Sequence, residues 1–277
     1  MSTNGPYGTK AAETVSVVIP TFDRAFMLER AVLSCLAQTN PVHEVLVCDD
    51  GSTDDSHARM AALGDPRVKW LPGPHVGRPA VPRNRGVEAA TGKWIAFLDS
   101  DDAWLPEKLA LQMEHMSLVG TDASCTNAVR IRPTGESLGV YFTDASTTFG
   151  LKELLPVNRV ICSSVLVKRS RLLQAGGFPE APELKALEDY ALWLRLCALT
   201  SFAYCAEPLV LYNDAPAASL RSGSMSVAAQ RDAVLSDLRK ANAYAIFPRA
   251  QRCAITRQLR RARCGSGRPI THWLFLR

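Results

Sequence analysis

Three carboxylates stand within four residues at Asp99-Ser100-Asp101-Asp102, directly after the apolar run Trp94-Ile95-Ala96-Phe97-Leu98. A run of that length reads as a buried parallel strand, and ligands of open α/β sheets sit beyond the carboxyl ends of such strands. Like charges so close together repel, and a divalent cation, a shared proton or full solvation relieves them. With no His or Cys adjoining, these hard oxygen donors suit Mg2+ or Mn2+. A solvated acidic turn ahead of a helix starting near Pro106 fits the same residues. Asp49-Asp50 forms a second acid pair, after Glu44-Val45-Leu46-Val47-Cys48, and Glu188-Asp189 a third, opening an apolar helix around Trp193. Acids in a first helical turn are favoured by the helix dipole, so capping competes with chemistry at Glu188 and Asp189.

The elements that must carry these acids follow from periodicity. Val15–Ile19 is a first strand, ended by Pro20, and Thr21-Phe22-Asp23-Arg24 turns into a helix with Asp23 as N-cap. The helix N-terminus leaves backbone N–H groups for a base or phosphate. Glu44–Cys48 is a second strand, and after Gly51 a helix capped by Ser52 or Thr53 runs to about residue 63. Arg67–Leu71 is a third strand. The helix bearing Arg83-Asn84-Arg85-Gly86 stops at Gly92 as a C′ glycine. Arg83 and Arg85, two apart, cannot share a helix face, so one should reach the strand ends and the other solvent. Strands alternating with helices predict a parallel, doubly wound sheet.

Beyond residue 120 the texture changes to a mixed half. Ala123–Arg132 and Glu136–Phe142 read as a hairpin, Val160–Val167 as a strand and Lys168–Gln174 as a helix closed by Gly176-Gly177. Glu188 opens the next helix, Phe202–Tyr212 adds one or two strands, and the chain is helical from Ser226. The division expected is a disordered tail over 1–13, one α/β domain over 14–220 and a basic helical extension over 221–277.

Composition excludes little else. Hydrophobic residues make up 47% and charged residues 21%, with a net charge of +5, which is ordinary for a globular protein. No apolar run approaches membrane-spanning length and residues 1–13 lack a signal-peptide core, so a cytoplasmic protein is expected. The eight cysteines form no Cys-x-x-Cys pair and read as small buried hydrophobes. A thiol nucleophile at Cys48 or Cys162 would need a nearby His. Arg249, Arg252, Arg257, Arg260, Arg261, Arg263, Arg268 and Arg277 concentrate positive charge at the C-terminus. A solvated face and peripheral contact with anionic membrane both fit that pattern. Aromatics are not interleaved over 249–263, which argues against nucleic acid.

Five motifs in order resemble the inverting, nucleotide-sugar-dependent glycosyltransferases of family 2, which have the GT-A fold. They are Val17–Arg24, Asp49–Asp54, Arg83–Gly86 with Ala90-Thr91-Gly92, Phe97–Asp102 and Glu188-Asp189, within a match from Val15 to Tyr212. Family members often have Tyr-Asn where this chain has Phe22-Asp23. The resemblance implies that Pro20, Thr21, Asp23, Arg24, Asp49, Asp50, Arg83 and Asp99 hold the nucleotide. It implies Mn2+ or Mg2+ at Asp101 with Asp99, and Asp189 as catalytic base. Asp102, Trp104, Gly177, Phe178 and Glu188 would line the sugar and acceptor side, with Cys162-Ser163-Ser164 shaping it. A UDP-sugar is the donor it favours, and the acceptor could be a saccharide, lipid-linked or protein hydroxyl in surface polysaccharide or glycoconjugate synthesis. Relatives often carry an Arg and a His after the strand corresponding to Phe202–Tyr212. This chain has Asn213-Asp214-Ala215-Pro216, leaving Arg221 as a substitute. A nucleotidyltransferase would bring a glycine-rich loop after its first strand, absent from Pro20–Asp23, and an inactive nucleotide-sugar-binding module would not need the acids that are all present.

Overall fold

A computed structural model describes residues 13–143, 146–215, 225–243 and 246–264. Parallel strands β1 (Val15–Thr21), β2 (Glu44–Asp49), β3 (Val68–Leu71) and β4 (Trp94–Phe97) alternate with helices α1 (Ala25–Leu36), α2 (Ser56–Ala62) and α3 (Ala80–Ala89). The period of two in β1 explains its two-sided burial. Val15, Val17 and Ile19 pack with Leu28, Val32 and Cys35 of α1, while Val18 faces the opposite core with Ala80 and Val87 of α3. Pro20 stays inside β1, beside Cys48, instead of ending it.

The second half begins with β5 (Ala103–Trp104), α4 (Lys108–Val119), β6 (Ala123–Ile131) and β7 (Ser137–Val140), the last two forming the expected hairpin. β8 (Thr148–Phe149) and α5 (Leu151–Leu154) follow, too short to leave a periodic signal in sequence. Residues 160–165 are not a strand: Cys162–Ser164 is a buried 3-10 turn, and only β9 (Leu166–Lys168) pairs. Next come α6 (Arg169–Gln174), α7 (Glu188–Cys197), β10 (Phe202–Asn213), α8 (Val227–Ala243) and α9 (Arg249–Cys264). The sheet order is β3-β2-β1-β4-β9-β6-β10-β5. β9 runs antiparallel to β4, so the parallel half joins a mixed half. β5 pairs with the far end of β10 through Trp104 and Val210, which brings that end back to the acidic turn.

Gly92 does not end α3 as a left-handed cap. The helix stops at Ala90 in extended conformation, and Gly92 is needed for close approach, since a Cβ there would lie 2.6 Å from Ser16 Oγ. Residues 1–12 of the expected tail, Arg221 and residues 265–277 of the basic extension lie outside the described residues. Among those described, α8 buries Val234, Leu235 and Leu238 in the core shared with α7.

Candidate active site

The order of the sheet reverses direction at β1, whose neighbours are β2 and β4. A crevice forms where successive connections leave a strand on opposite sides, so the ends of β1 and β4 face one cleft. Arg24, after β1, pairs with Asp101, after β4, and Arg30 Nη2 donates to the Asp101 carbonyl at 2.6 Å. Asp23 is not the cap of α1. It has φ 47 and accepts from Thr53 N at 2.7 Å and Asp54 N at 3.2 Å. Asp54 returns the favour, accepting from Ala25 N of α1 at 3.0 Å. Ser52 Oγ accepts from Asp23 N, and α2 begins after Asp55 with no side-chain cap from Ser52 or Thr53. The two loops therefore lock each other, because each supplies acceptors for the other's orphan N–H groups.

Asp49 and Asp50 are buried. Asp49 Oδ1 accepts from Ser52 N at 2.9 Å, and Asp50 accepts from Val76 N at 3.0 Å and Gly77 N at 2.8 Å. Thr21 is buried, and its hydroxyl has no hydrogen-bond partner among the described residues.

The acidic turn separates its three carboxylates. Asp99 is partly exposed and takes Arg83 Nη2 on Oδ1 at 2.6 Å. Asp101 is also partly exposed, and burial together with the neighbouring Asp99 charge raises its pKa despite Arg24. Asp102 is turned into the protein, 2% exposed, accepting from Ser163 Oγ at 2.5 Å and Asn213 N at 2.8 Å. Burial, then the Asp101 and Asp99 charges, push its pKa well above the carboxylate range. Trp104 is buried too, its indole N–H donating to Ser163 O at 2.7 Å. Asp102 and Trp104 thus support the turn from behind instead of lining an open sugar side. Ser163, which also accepts from Asp99 N at 3.1 Å, is the hub that the reading of 160–167 as strand concealed. Asp214 pairs with Arg130 at 2.6 Å.

Among the described residues no three His, Cys, Asp or Glu side chains converge as a finished metal cage. Mg2+ or Mn2+ held by one or two carboxylates, with phosphate oxygens and water completing the shell, does not require one. Asp101 and Asp99 fit: both are hard oxygen donors open to the cleft, and their mutual repulsion favours a cation.

Arg83 joins the two halves. Its buried guanidinium gives Nη2 to Asp99 and Nη1 to Glu188 of α7 at 3.1 Å, and lies over the Phe178 ring at 5.3 Å. Asp189 follows in the first turn of α7, 8% exposed, with Tyr190 N donating to its Oδ1 at 2.6 Å. Phe178 is a core residue, edge-on to Phe97. Its backbone is gripped by Asn84, which accepts from Phe178 N at 2.9 Å and donates to Phe178 O at 2.9 Å. Gly177 has φ 68, and a Cβ there would meet Asn84 Oδ1 at 2.8 Å. Arg85 does not go to solvent: Nη1 donates to Asp49 O at 2.7 Å and Leu71 O at 3.0 Å. Both arginines reach strand ends by opposite sides of α3. Burial pushes the Cys48 thiol up to about 12 and raises Cys162 far above its ordinary value, which removes both as thiolate nucleophiles at neutral pH.

Residues 16–156 match the family model described as glycosyl transferase family 2. The chain is 31% identical over 182 residues to the Escherichia coli UDP-Glc:alpha-D-GlcNAc-diphosphoundecaprenol beta-1,3-glucosyltransferase WfgD, covering 66% of this chain and 69% of that protein. It is 32% identical over 191 residues to an uncharacterized glycosyltransferase of Rickettsia felis, 68% of this chain but 31% of that longer protein. Among solved structures it resembles S. aureus TarS 1-349 in complex with UDP-GlcNAc, with TM-score 0.70 and 17% identity, over 89% of this chain and 70% of that one. The fold is the GT-A fold of that neighbour.

Proposed function

The chain belongs to glycosyl transferase family 2, and from that membership we propose that it transfers a sugar from a uridine-diphosphate donor to an acceptor hydroxyl, inverting the anomeric carbon. The observation that carries this reading is the buried Arg83 bridge from Asp99 to Glu188. It ties the strand-end acids to the first turn of α7, so a donor at the β1–β4 cleft and a base on α7 share one space. Thr21, Asp23, Asp49, Asp50 and Arg83 surround the nucleoside, with Pro20 and Arg24 framing the turn. WfgD, by its name, uses UDP-Glc, and TarS was solved with UDP-GlcNAc, which supports uridine. The WfgD acceptor also supports a place in polysaccharide assembly on a lipid-linked saccharide.

Asp189 takes the proton of the acceptor hydroxyl as its oxygen attacks the anomeric carbon opposite the leaving diphosphate, and this in-line course inverts the configuration. Arg83 and Glu188 hold the start of α7 against the donor half. Arg24 and Arg30 bring positive charge to the diphosphate side. Asp101 with Asp99 would hold Mn2+ or Mg2+, which when bound supplies charge stabilisation to the leaving diphosphate.

The reaction is proposed for the cytoplasmic side of a membrane. No helix among the described residues is long and apolar enough to cross one. On α9 the apolar Ile255 and Leu259 are buried while Arg249, Arg257 and Arg260 are exposed, which supports an electrostatic contact with anionic lipid.

Titration of UDP with and without Mn2+, in the wild type and in Asp101→Ala, tests the site. Mn2+ should tighten UDP binding in the wild type and leave Asp101→Ala unchanged. Equal tightening in both proteins would remove the metal from Asp101.

A further inference from the structure

The outer end of the mixed half carries a patch that the donor site does not use. β9 runs antiparallel to both β4 and β6, and β10 runs parallel to β6. The carboxyl ends of β6 and β10 therefore lie on the same sheet edge as the acidic turn, where Asn213 N of β10 donates to Asp102. Side chains alternate across a strand, so Val210 and Tyr212 share one face of β10. Ala128 and Arg130 stand beside them in register on β6, and Tyr141 follows β7 with its N–H donating to Ala128 O. This face is closed at Ala128 and Val210, both fully buried in the core with Trp104 and Leu109. Beyond them it opens. Tyr141, Phe142 and Tyr212 are half-buried, and the Arg130 and Asp214 side chains are 24% and 23% exposed. Opposite Arg130 on β7 is Gly139, where an added Cβ would meet no atom within 4 Å.

The groups of the patch are fixed in place. Tyr141 stands edge-on to Tyr212, with centroids 5.3 Å apart. Asn127 holds the Phe142 backbone twice, accepting from its N–H at 3.1 Å and donating to its carbonyl at 2.8 Å. Arg130 lies 5.9 Å from the Tyr141 centroid and gives Nε and Nη2 to Asp214 Oδ2 at 3.0 and 2.6 Å. Those bonds use two of the five N–H groups of a guanidinium and one oxygen of the carboxylate, so the pair still offers donors and an acceptor. It carries no net charge. A phosphate or an anionic lipid headgroup would want the guanidinium uncompensated, whereas a neutral ring with hydroxyls at its rim and C–H groups on its face suits both the ion pair and the aromatic rings.

We propose that this patch is a subsite for the saccharide of the acceptor, the C–H face of a sugar ring resting on the Tyr141–Tyr212 pair and its hydroxyls bonding to Arg130 and Asp214. The assignment rests on the glycosyl-transfer reading and names the surface that selects the acceptor, with no part in holding the donor.

Calorimetric titration of a water-soluble, short-chain N-acetylglucosaminyl diphosphoryl lipid into the UDP- and Mn2+-loaded protein tests this, with the same lipid diphosphate lacking the sugar as its control. The proteins are the wild type, Tyr212→Leu, which keeps bulk and removes the ring, and Arg130→Gln, which leaves both rings. Each variant should bind the sugar-bearing lipid about tenfold more weakly than the wild type, the size of one ring or ion-pair contact. UDP affinity and thermal midpoint should hold in both, which separates a subsite from a packing defect. If the three proteins bind the sugar-bearing lipid equally, or the wild type binds UDP but not that lipid, the subsite falls while the donor reading stands. If the variants weaken the sugar-free lipid by the same factor, the patch takes lipid and not saccharide. If the wild type binds no UDP, the donor reading falls and the subsite falls with it.

Discussion

One peptide bond separates Asp101, which faces the cleft and Arg24, from Asp102, which is enclosed by Ser163 and Asn213. Residue type marked all three acids of the turn as chemistry, but orientation is decided by the 3-10 turn at Cys162–Ser164, sixty residues away. Lys108 is a second case. It is fully buried, its ammonium has no hydrogen-bond partner among the described residues, and it lies 3.9 Å over the Trp104 ring. Burial pulls its pKa down to about 7, and the cation–π contact offsets only part of the desolvation. The unfolded chain holds this proton up to about pH 10, so the contribution of Lys108 to stability rises with pH above about 7, until above about pH 8.5 the buried thiols, which keep their protons only in the folded chain, oppose it. Below about 7 both states are charged and the burial penalty is full. Lys108→Met should therefore stabilise the protein by about 1 to 2 kcal/mol at pH 6 and flatten the rise in stability between about pH 6 and 8. Urea unfolding at both pH values checks this; a destabilised variant with the rise intact would contradict it.

The helix α7 shows what fastening an element requires. Arg195 on its buried side donates Nε and Nη2 to Asp237 of α8 at 2.8 and 2.5 Å, and Nη1 to Ala175 O at 3.3 Å. Tyr190 donates its hydroxyl to Leu154 O of α5 at 2.6 Å. Asp237→Ala would leave a nearly buried guanidinium unpaired and should cost about 3 kcal/mol, whereas Asp237→Glu should cost less than half as much. Equal losses in thermal unfolding would show that the ion pair does not fasten α8 to α7. Neither contact was legible in sequence, because Arg195 and Asp237 sit in ordinary amphipathic patterns. The elements themselves were: β1 to β4, the 123–142 hairpin and α7 follow from periodicity and turn residues. The errors have local causes. The run 160–167 mixes small polar and apolar residues that suit a strand, yet Ser163 must turn to serve Asp99 and Asp102. Asp23 stands where an N-cap should, but Asp54 reaches α1 from the neighbouring loop.

At the scale of the molecule, the Arg83 bridge to Glu188 and the Asn213 contact to Asp102 are among the contacts that hold the mixed half against the parallel half. The motifs were legible as an ordered set, and family membership follows from the match over residues 16–156. Their convergence was not, since Arg83 and Glu188 are 105 residues apart and only the antiparallel insertion of β9 beside β4 brings α7 to the cleft. As the proposed base, Asp189 would act in the transition state and hardly at all in the nucleotide-bound ground state. Asp189→Asn keeps the shape and the acceptor for Tyr190 N but cannot take a proton. The direct measurement is transfer from a UDP-sugar by Asp189→Asn beside UDP affinity of the same protein. Transfer should fall by about 10² to 10⁴ while UDP affinity and thermal midpoint hold; undiminished transfer, or an equal loss of UDP affinity, would contradict the role of Asp189 as base.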